Sequence, residues 1–393
     1  MREAIPLWTF QGSSSPSALS ISLDGKFAGV GHKGGLTLLN QNGRPVWNNN
    51  KIRRVKDISV STKTGKMSIA SSQKVVYLVK RTGESLWHRE LQSSAVSTSI
   101  SSNGDMIVVG TSLGRLIVYD GKGKVRWEAH LSNSDFPVNT VNVSSDGQFI
   151  LAGTDYSNLY LYDRKGDILW AKETSGEVIQ TCISSNGDYI GYLTSDRTFY
   201  FGVKSSRILW EKTFDRQPVW IDMTQTADFV TVGESSSKVT LFTKEGRKVW
   251  GFRPRQSPKG VMASGGGSVF LGGKGGVCKY SLEPYLKRLL IHAQKRIEKA
   301  YSENLDTTTA KKYFTSAQSS FKAGNHLDFL VSVQQARRSA REARIIESEM
   351  TPNERRIERN EMEKATSEAS IDDSGDDELM SKLVQLAEMR ESG

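Results

Sequence analysis

With 393 residues the chain is long enough to bury one large core and carry an appendage, and its 37% hydrophobic and 24% charged composition is ordinary for a soluble protein. No stretch approaches the roughly 18 apolar residues that a membrane-spanning helix needs, and the first ten residues, which contain Pro6 and Trp8, have no apolar run, so a cytoplasmic chain is expected. The net charge of +10 is unevenly placed: residues 1–284 carry 35 basic and 24 acidic side chains, the remainder 18 and 19, which points to the first part for any anionic partner.

Tryptophans mark a repeat from the start of the chain. Trp8, Trp47, Trp87, Trp127, Trp170, Trp210 and Trp250 are spaced by 39, 40, 40, 43, 40 and 40 residues. Four residues before most of them stands a glycine (Gly43, Gly83, Gly123, Gly166, Gly246), with Ser206 in that place before Trp210. A second marker in phase is Gly25, Gly65, Gly104, Gly147 and Gly187, replaced by Ala227 in the next unit. In one unit, residues 139–144 alternate as a strand, Ser145-Asp146-Gly147 turns, 149–153 and 159–162 are strands, and a hairpin at 163–167 leads to a fourth strand with Trp170. Four short antiparallel strands in about 40 residues make one propeller blade. The chain opens with a Trp-bearing strand, and its last unit lacks one after Cys278–Leu282. The expected fold is therefore an all-β seven-bladed β-propeller over residues 1–283, with the N-terminal strand closing the last blade and removing an open edge.

Tyr119-Asp120-Gly121-Lys122-Gly123-Lys124-Val125-Arg126-Trp127 and Tyr162-Asp163-Arg164-Lys165-Gly166-Asp167-Ile168-Leu169-Trp170 resemble the tryptophan-docking motif of pyrroloquinoline-quinone-like propellers. The resemblance covers about residues 5–283. It implies that the seven repeat tryptophans pack between blades, whereas Trp220 stands outside the series. It also raises an exported, quinone- and Ca²⁺-dependent dehydrogenase as a remote alternative. Against that stand the lack of an adjacent cysteine pair and innermost strands (17–22, 95–101, 140–144, 180–184) of mostly small neutral residues, with Asp222 the clearest carboxylate. Cys182 and Cys278 read as reduced, buried thiols, and the five histidines show no metal-ligand spacing. No catalytic residue, cofactor or metal is expected.

After Glu283-Pro284 the apolar period changes from two to 3.6. A helical appendage is expected over 284–349. One helix uses Leu286, Leu289, Leu290, Ala293, Ile297, Ala300 and Tyr301. A second starts near 306–309 and uses Ala310, Tyr313, Phe314, Ala317 and Phe321. A third, from His326 to Ser348, uses Leu327, Leu330, Val333, Ala336, Ala340 and Ala343. A charged helix follows over 350–366, then an acidic linker over 367–378, then a short amphipathic helix over 379–393. In the last, Leu379, Leu383 and Leu386 share a face suited to a partner's groove.

The expected function is a non-catalytic protein-binding scaffold of a cytoplasmic complex. Its candidate surface is a basic sector where the loops of blades seven, one and two meet: Lys33, Lys51, Arg53, Arg54, Lys56, Lys74, Arg253, Arg255, Lys259 and Lys274. An acidic protein is the expected partner, and a nucleic acid held by its phosphates is the alternative. Stacking aromatics are scarce in these loops, Phe252 and Trp220 being the nearest, which disfavours base recognition. The acidic tail (Asp372, Asp373, Asp376, Asp377, Glu378) is expected to compete for this sector.

Overall fold

The computed structural model describes residues 6–343 apart from 13–14, 23–24, 132–134, 237, 255–257, 265–267, 274–275 and 282, with backbone alone for 258–264, 268–273 and 327. It divides into two compact units, 1–282 and 283–393. The charged helix, acidic linker and amphipathic segment expected beyond 350, with Leu379, Leu383 and Leu386, lie outside the described residues.

The first unit is a ring of four-stranded antiparallel sheets. Six of them are each built from four consecutive strands, within residues 16–49, 55–90, 95–130, 138–173, 178–213 and 218–252. The remaining sheet is composite. Pro258–Ser264, Ser268–Gly273 and Gly276–Ser281 are joined at the outer edge by Trp8–Phe10, in the register Trp8 with Lys279, Thr9 with Cys278 and Phe10 with Val277. The expected blade count thus resolves into six continuous blades and one sheet closed by the N-terminal strand. Each sheet's innermost strand packs on that of the next sheet, and Pro258–Ser264 packs on Pro16–Ile21, so the ring is complete. The sheets are numbered here from the one at 16–49 (blade 1) to the composite (blade 7).

The repeat tryptophans join neighbouring blades, and the motif residues explain how. Asp163 Oδ1 accepts hydrogen bonds from the amides of Lys165, Gly166 and Asp167 at 2.8–2.9 Å, which folds the hairpin between third and outermost strands. The turn leaves Gly166 at φ +99°, and its bare Cα faces Trp127 of the preceding blade, where a Cβ would come within 2.9 Å of the ring. The indole N–H of Trp127 donates to the Arg164 carbonyl at 3.1 Å, and its ring lies 5.5 Å from that of Tyr162. The same link recurs from Trp8 to Gln41, Trp47 to Arg81, Trp87 to Gly121, Trp170 to Lys204 and Trp210 to Lys244. Trp250 stacks on Phe252 at 4.4 Å, and Trp220 joins it in the apolar cluster of Val239, Phe252, Cys278 and Tyr280, where the buried Trp220 Nε1 has no hydrogen-bond partner among the described residues.

The second unit contains α1 (Glu283–Ser302), α2 (Thr308–Lys322) and α3 (His326–Glu342). The expected faces are buried at Leu286, Leu290, Ala293, Ile297, Ala300, Ala310, Ala317, Leu330, Val333, Ala336 and Ala340. Phe329, absent from the expected face, is fully buried against Phe321. The third helix is shorter than expected. Ala343 leaves the helical region at ψ 140°, so α3 stops at Glu342 and not Ser348. Among the described residues no helix is long and apolar enough to cross a membrane.

Ser206 holds the turn position at φ +64° that glycine holds in the other hairpins. Ser206→Gly should raise stability by about 0.5 kcal/mol, and Gly123→Ala, which drives a Cβ toward Trp87, should lower it by about 2 kcal/mol. Urea unfolding of both variants beside the wild type measures this.

Candidate functional site

In an antiparallel blade, the connections between blades and the loops between second and third strands share one end, here called the upper end. In blade 2 the incoming connection, 50–54, is pinned by its backbone. The Ser72 amide donates to the Arg54 carbonyl at 3.1 Å, Ser71 Oγ to the Arg53 carbonyl at 2.8 Å, and the Lys51 amide to Asn49 Oδ1 at 2.9 Å. With the backbone fixed inward, Lys51, Arg53, Arg54 and Lys56 are exposed. Arg54 and Lys74 hold left-handed backbone conformations at φ 51° and 64°. Lys33, Lys74 and Arg253 are exposed at this same end. Among the described residues, none of these seven cations has a carboxylate within ion-pair distance. On the lower end, by contrast, Lys80 pairs with Glu84, Lys204 with Asp188 and Lys244 with Asp228. Arg255 and Lys274 lie outside the described residues, as does the side chain of Lys259.

Beneath Lys33, buried His32 places Nε2 at 3.2 Å from Thr37 Oγ1, which itself donates to Asn48 Oδ1 at 2.7 Å. Thr37 must therefore accept from His32, which assigns the Nε2–H tautomer and leaves Nδ1 a buried acceptor. Burial lowers the pKa of His32, which keeps it neutral beside the cationic loop.

The upper end is charged in two senses. The loops of blade 3 (Gln92-Ser93-Ser94 and Ser112-Leu113-Gly114) are neutral. Those of blades 4 to 6 carry Asp135, Asp155, Glu177, Asp196, Asp215 and Glu234 against Arg197, Arg216 and Lys238. Where the neutral and acidic arcs meet, Phe136 and exposed Tyr156 stack with ring centroids 4.7 Å apart, and Leu113 is exposed in the neighbouring loop. The aromatics named from sequence are placed otherwise: Phe252 is buried and Trp220 sits on an innermost strand. Phe136 and Tyr156 were missed because nothing in their own loops shows that the two face each other across one blade.

The innermost strands line a central channel, and their small polar residues tie blade to blade. Ser20, Ser59 and Ser99 accept at Oγ from the amides of Val60, Ile100 and Val143 at 3.0–3.1 Å. One register higher, Asp57 Oδ2, Thr140 Oγ1 and Gln180 Oε1 accept from Thr98, Thr181 and Ile221 at 2.8–3.0 Å. The channel leaves a cavity of about 110 Å³ bordered by Ser20, Ser59, Asn142, Cys182, Asp222 and Gln225, well below the ~300 Å³ at which small-molecule pockets begin. Among the described residues no three metal-ligating side chains converge. These residues do not fit a quinone with its Ca²⁺.

Asp57 is the carboxylate that the sequence reading passed over in favour of Asp222. It keeps some surface toward the channel yet lies deep in the ring. Burial raises its pKa to about 6, against the opposing effect of the Thr98 and Ile58 amides that donate to it. A carboxyl raised in the fold stabilises while protonated, below the ordinary 3.8, and that contribution is lost as pH rises through about 6. Asp57→Asn keeps an acceptor for the Thr98 amide, gives up the one for the Ile58 amide, and removes the charge. It should flatten the stability profile across this window and, after the cost of the lost hydrogen bond, leave the variant about 1 kcal/mol above the wild type at neutral pH, read by denaturant unfolding at a series of pH values.

Residues 71–190 match the family model described as outer membrane protein assembly factor BamB. No curated protein matches the chain by sequence. Among solved structures, the β-propeller domain of Cps50 (Swd1) from Myceliophteria thermophila is similar in fold, with 13% identity, a TM-score of 0.63, and coverage of 71% of this chain and 99% of that one. The match over residues 71–190, together with blades joined by docked tryptophans, supports a likeness to the pyrroloquinoline-quinone-like propeller repeats.

Proposed function

We propose that the chain is a non-catalytic scaffold whose upper propeller end binds a protein that presents an acidic segment to the sector of Lys33, Lys51, Arg53, Arg54, Lys56, Lys74 and Arg253. The observation that carries this reading is the division of charge on that end. Cations on blades 1, 2 and 7, without an ion-pair partner among the described residues, face an arc of carboxylates on blades 4 to 6, with the Phe136–Tyr156 stack at the acidic arc's border. A protein can meet both signs and bury an aromatic anchor at once. A duplex or single strand crossing the same end would set its phosphates against Asp135, Asp155, Glu177, Asp196 and Asp215, which disfavours the nucleic-acid reading. Both described cysteines are buried and free, in keeping with a reducing cytoplasm as the place of the complex.

The test is capture from nuclease-treated extract with full-length protein. Lys51→Glu/Arg53→Glu/Lys56→Glu should reduce the captured proteins at least tenfold. The lower-end control Lys122→Glu/Lys124→Glu should leave them unchanged. Each reversed contact of this kind is worth about 0.5–1 kcal/mol at a rim and more when desolvated, so three suffice for that factor. Loss of all captured material on nuclease treatment, before any substitution, would transfer the assignment to nucleic acid.

A further inference from the structure

The helical unit carries a second basic feature. Between α1 and α3 runs a groove of about 350 Å³ lined by Arg296, Gln334, Arg337, Arg338, Arg341 and Glu342. Its single carboxylate is taken: Arg338 Nε lies 3.0 Å from Glu342 Oε1. Arg296, Arg337 and Arg341 have no ion-pair partner among the described residues. Arg337 and Arg341 stand one turn apart on α3, where like charges repel, and Arg296 approaches from α1. Guanidinium groups that line one groove, without an ion-pair partner among the described residues, are most stable with an anion between them. Their planar donors suit paired carboxylates.

The chain itself supplies such an anion. Residues 344–393 hold 14 acidic and 7 basic side chains, and Asp372, Asp373, Asp376, Asp377 and Glu378 fall within seven residues that contain no cation. We infer that the α1–α3 groove is the docking site of this chain's own acidic segment, 372–378. Charge complementarity is one argument and reach is the other. The described residues end at Ala343, two residues beyond Arg341 at the groove's rim, and 28 residues lie between Ala343 and Asp372. A tether of that length, at about 1.5 Å per residue where helical and about 3.3 Å where extended, is long enough to return its end to the groove, at an effective concentration near millimolar. The helical unit is the segment's own domain, so this seat precedes the propeller sector as a home for it.

A labelled peptide of residues 368–379 is titrated, at low and at moderate salt, against four full-length proteins: the wild type; Asp372→Asn/Asp373→Asn/Asp376→Asn/Asp377→Asn, which neutralises the internal segment; that variant with Arg337→Gln/Arg341→Gln added; and that variant with Lys51→Glu/Arg53→Glu/Lys56→Glu added. Neutralising the internal segment should free the groove and tighten peptide binding about tenfold. The added arginine substitutions should abolish that binding, and the propeller substitutions should not. Equal binding to wild type and neutralised variant overturns the inference without reference to any arginine variant, so poor folding of the latter does not shelter it. Binding that survives Arg337→Gln/Arg341→Gln and disappears with the propeller substitutions also overturns it, and seats the segment on the upper end instead.

Discussion

The docking of outer-strand tryptophans onto the next blade is the interaction on which the propeller depends. A four-stranded sheet of this size buries too little of itself to stand alone, so every blade relies on its neighbours. The indole meets this need twice. Its ring covers a glycine that has no Cβ to obstruct it, and its N–H satisfies a hairpin carbonyl, as Trp87 does over Gly123 and to Gly121. Asp120 or Asp163 folds the hairpin that presents both surfaces. On the inner side, serine and threonine oxygens accept amides from the adjacent blade, so neighbouring strands are fixed at both radii. Closure through Trp8–Phe10 extends the scheme to the chain's ends: Trp8, on the composite sheet, docks on blade 1.

This architecture was legible in the sequence because it is written in single residues at fixed offsets. The Asp, Gly and Trp of one hairpin each have one physical task, and their spacing survives wherever the task does. Ser206 is informative for the same reason, since it keeps the left-handed turn without glycine. The helical faces were also legible, except Phe329, and the end of α3 was not, because nothing in the residues after Glu342 halts an apolar period.

The working surface was legible only in part. Lys51, Arg53, Arg54 and Lys56 are consecutive enough to be noticed as a run. The opposing arc is scattered as single carboxylates in six loops from Asp135 to Glu234, and it becomes an arc only when each loop is assigned to an end of its blade and each blade to its place in the ring. Asp57 escaped notice for a related reason. On an innermost strand, a carboxylate looks like a channel-lining group until the amides of Thr98 and Ile58 are seen to donate to it.

The most direct measurement of the central claim is photo-crosslinking in nuclease-free extract. A photoreactive side chain is placed at Lys56, at Tyr156 or, as the lower-end comparison, at Lys122. Positions 56 and 156 should crosslink to the same protein, and position 122 should not. Crosslinks to nucleic acid from position 56, or equal crosslinking of one protein from position 122, would contradict that claim.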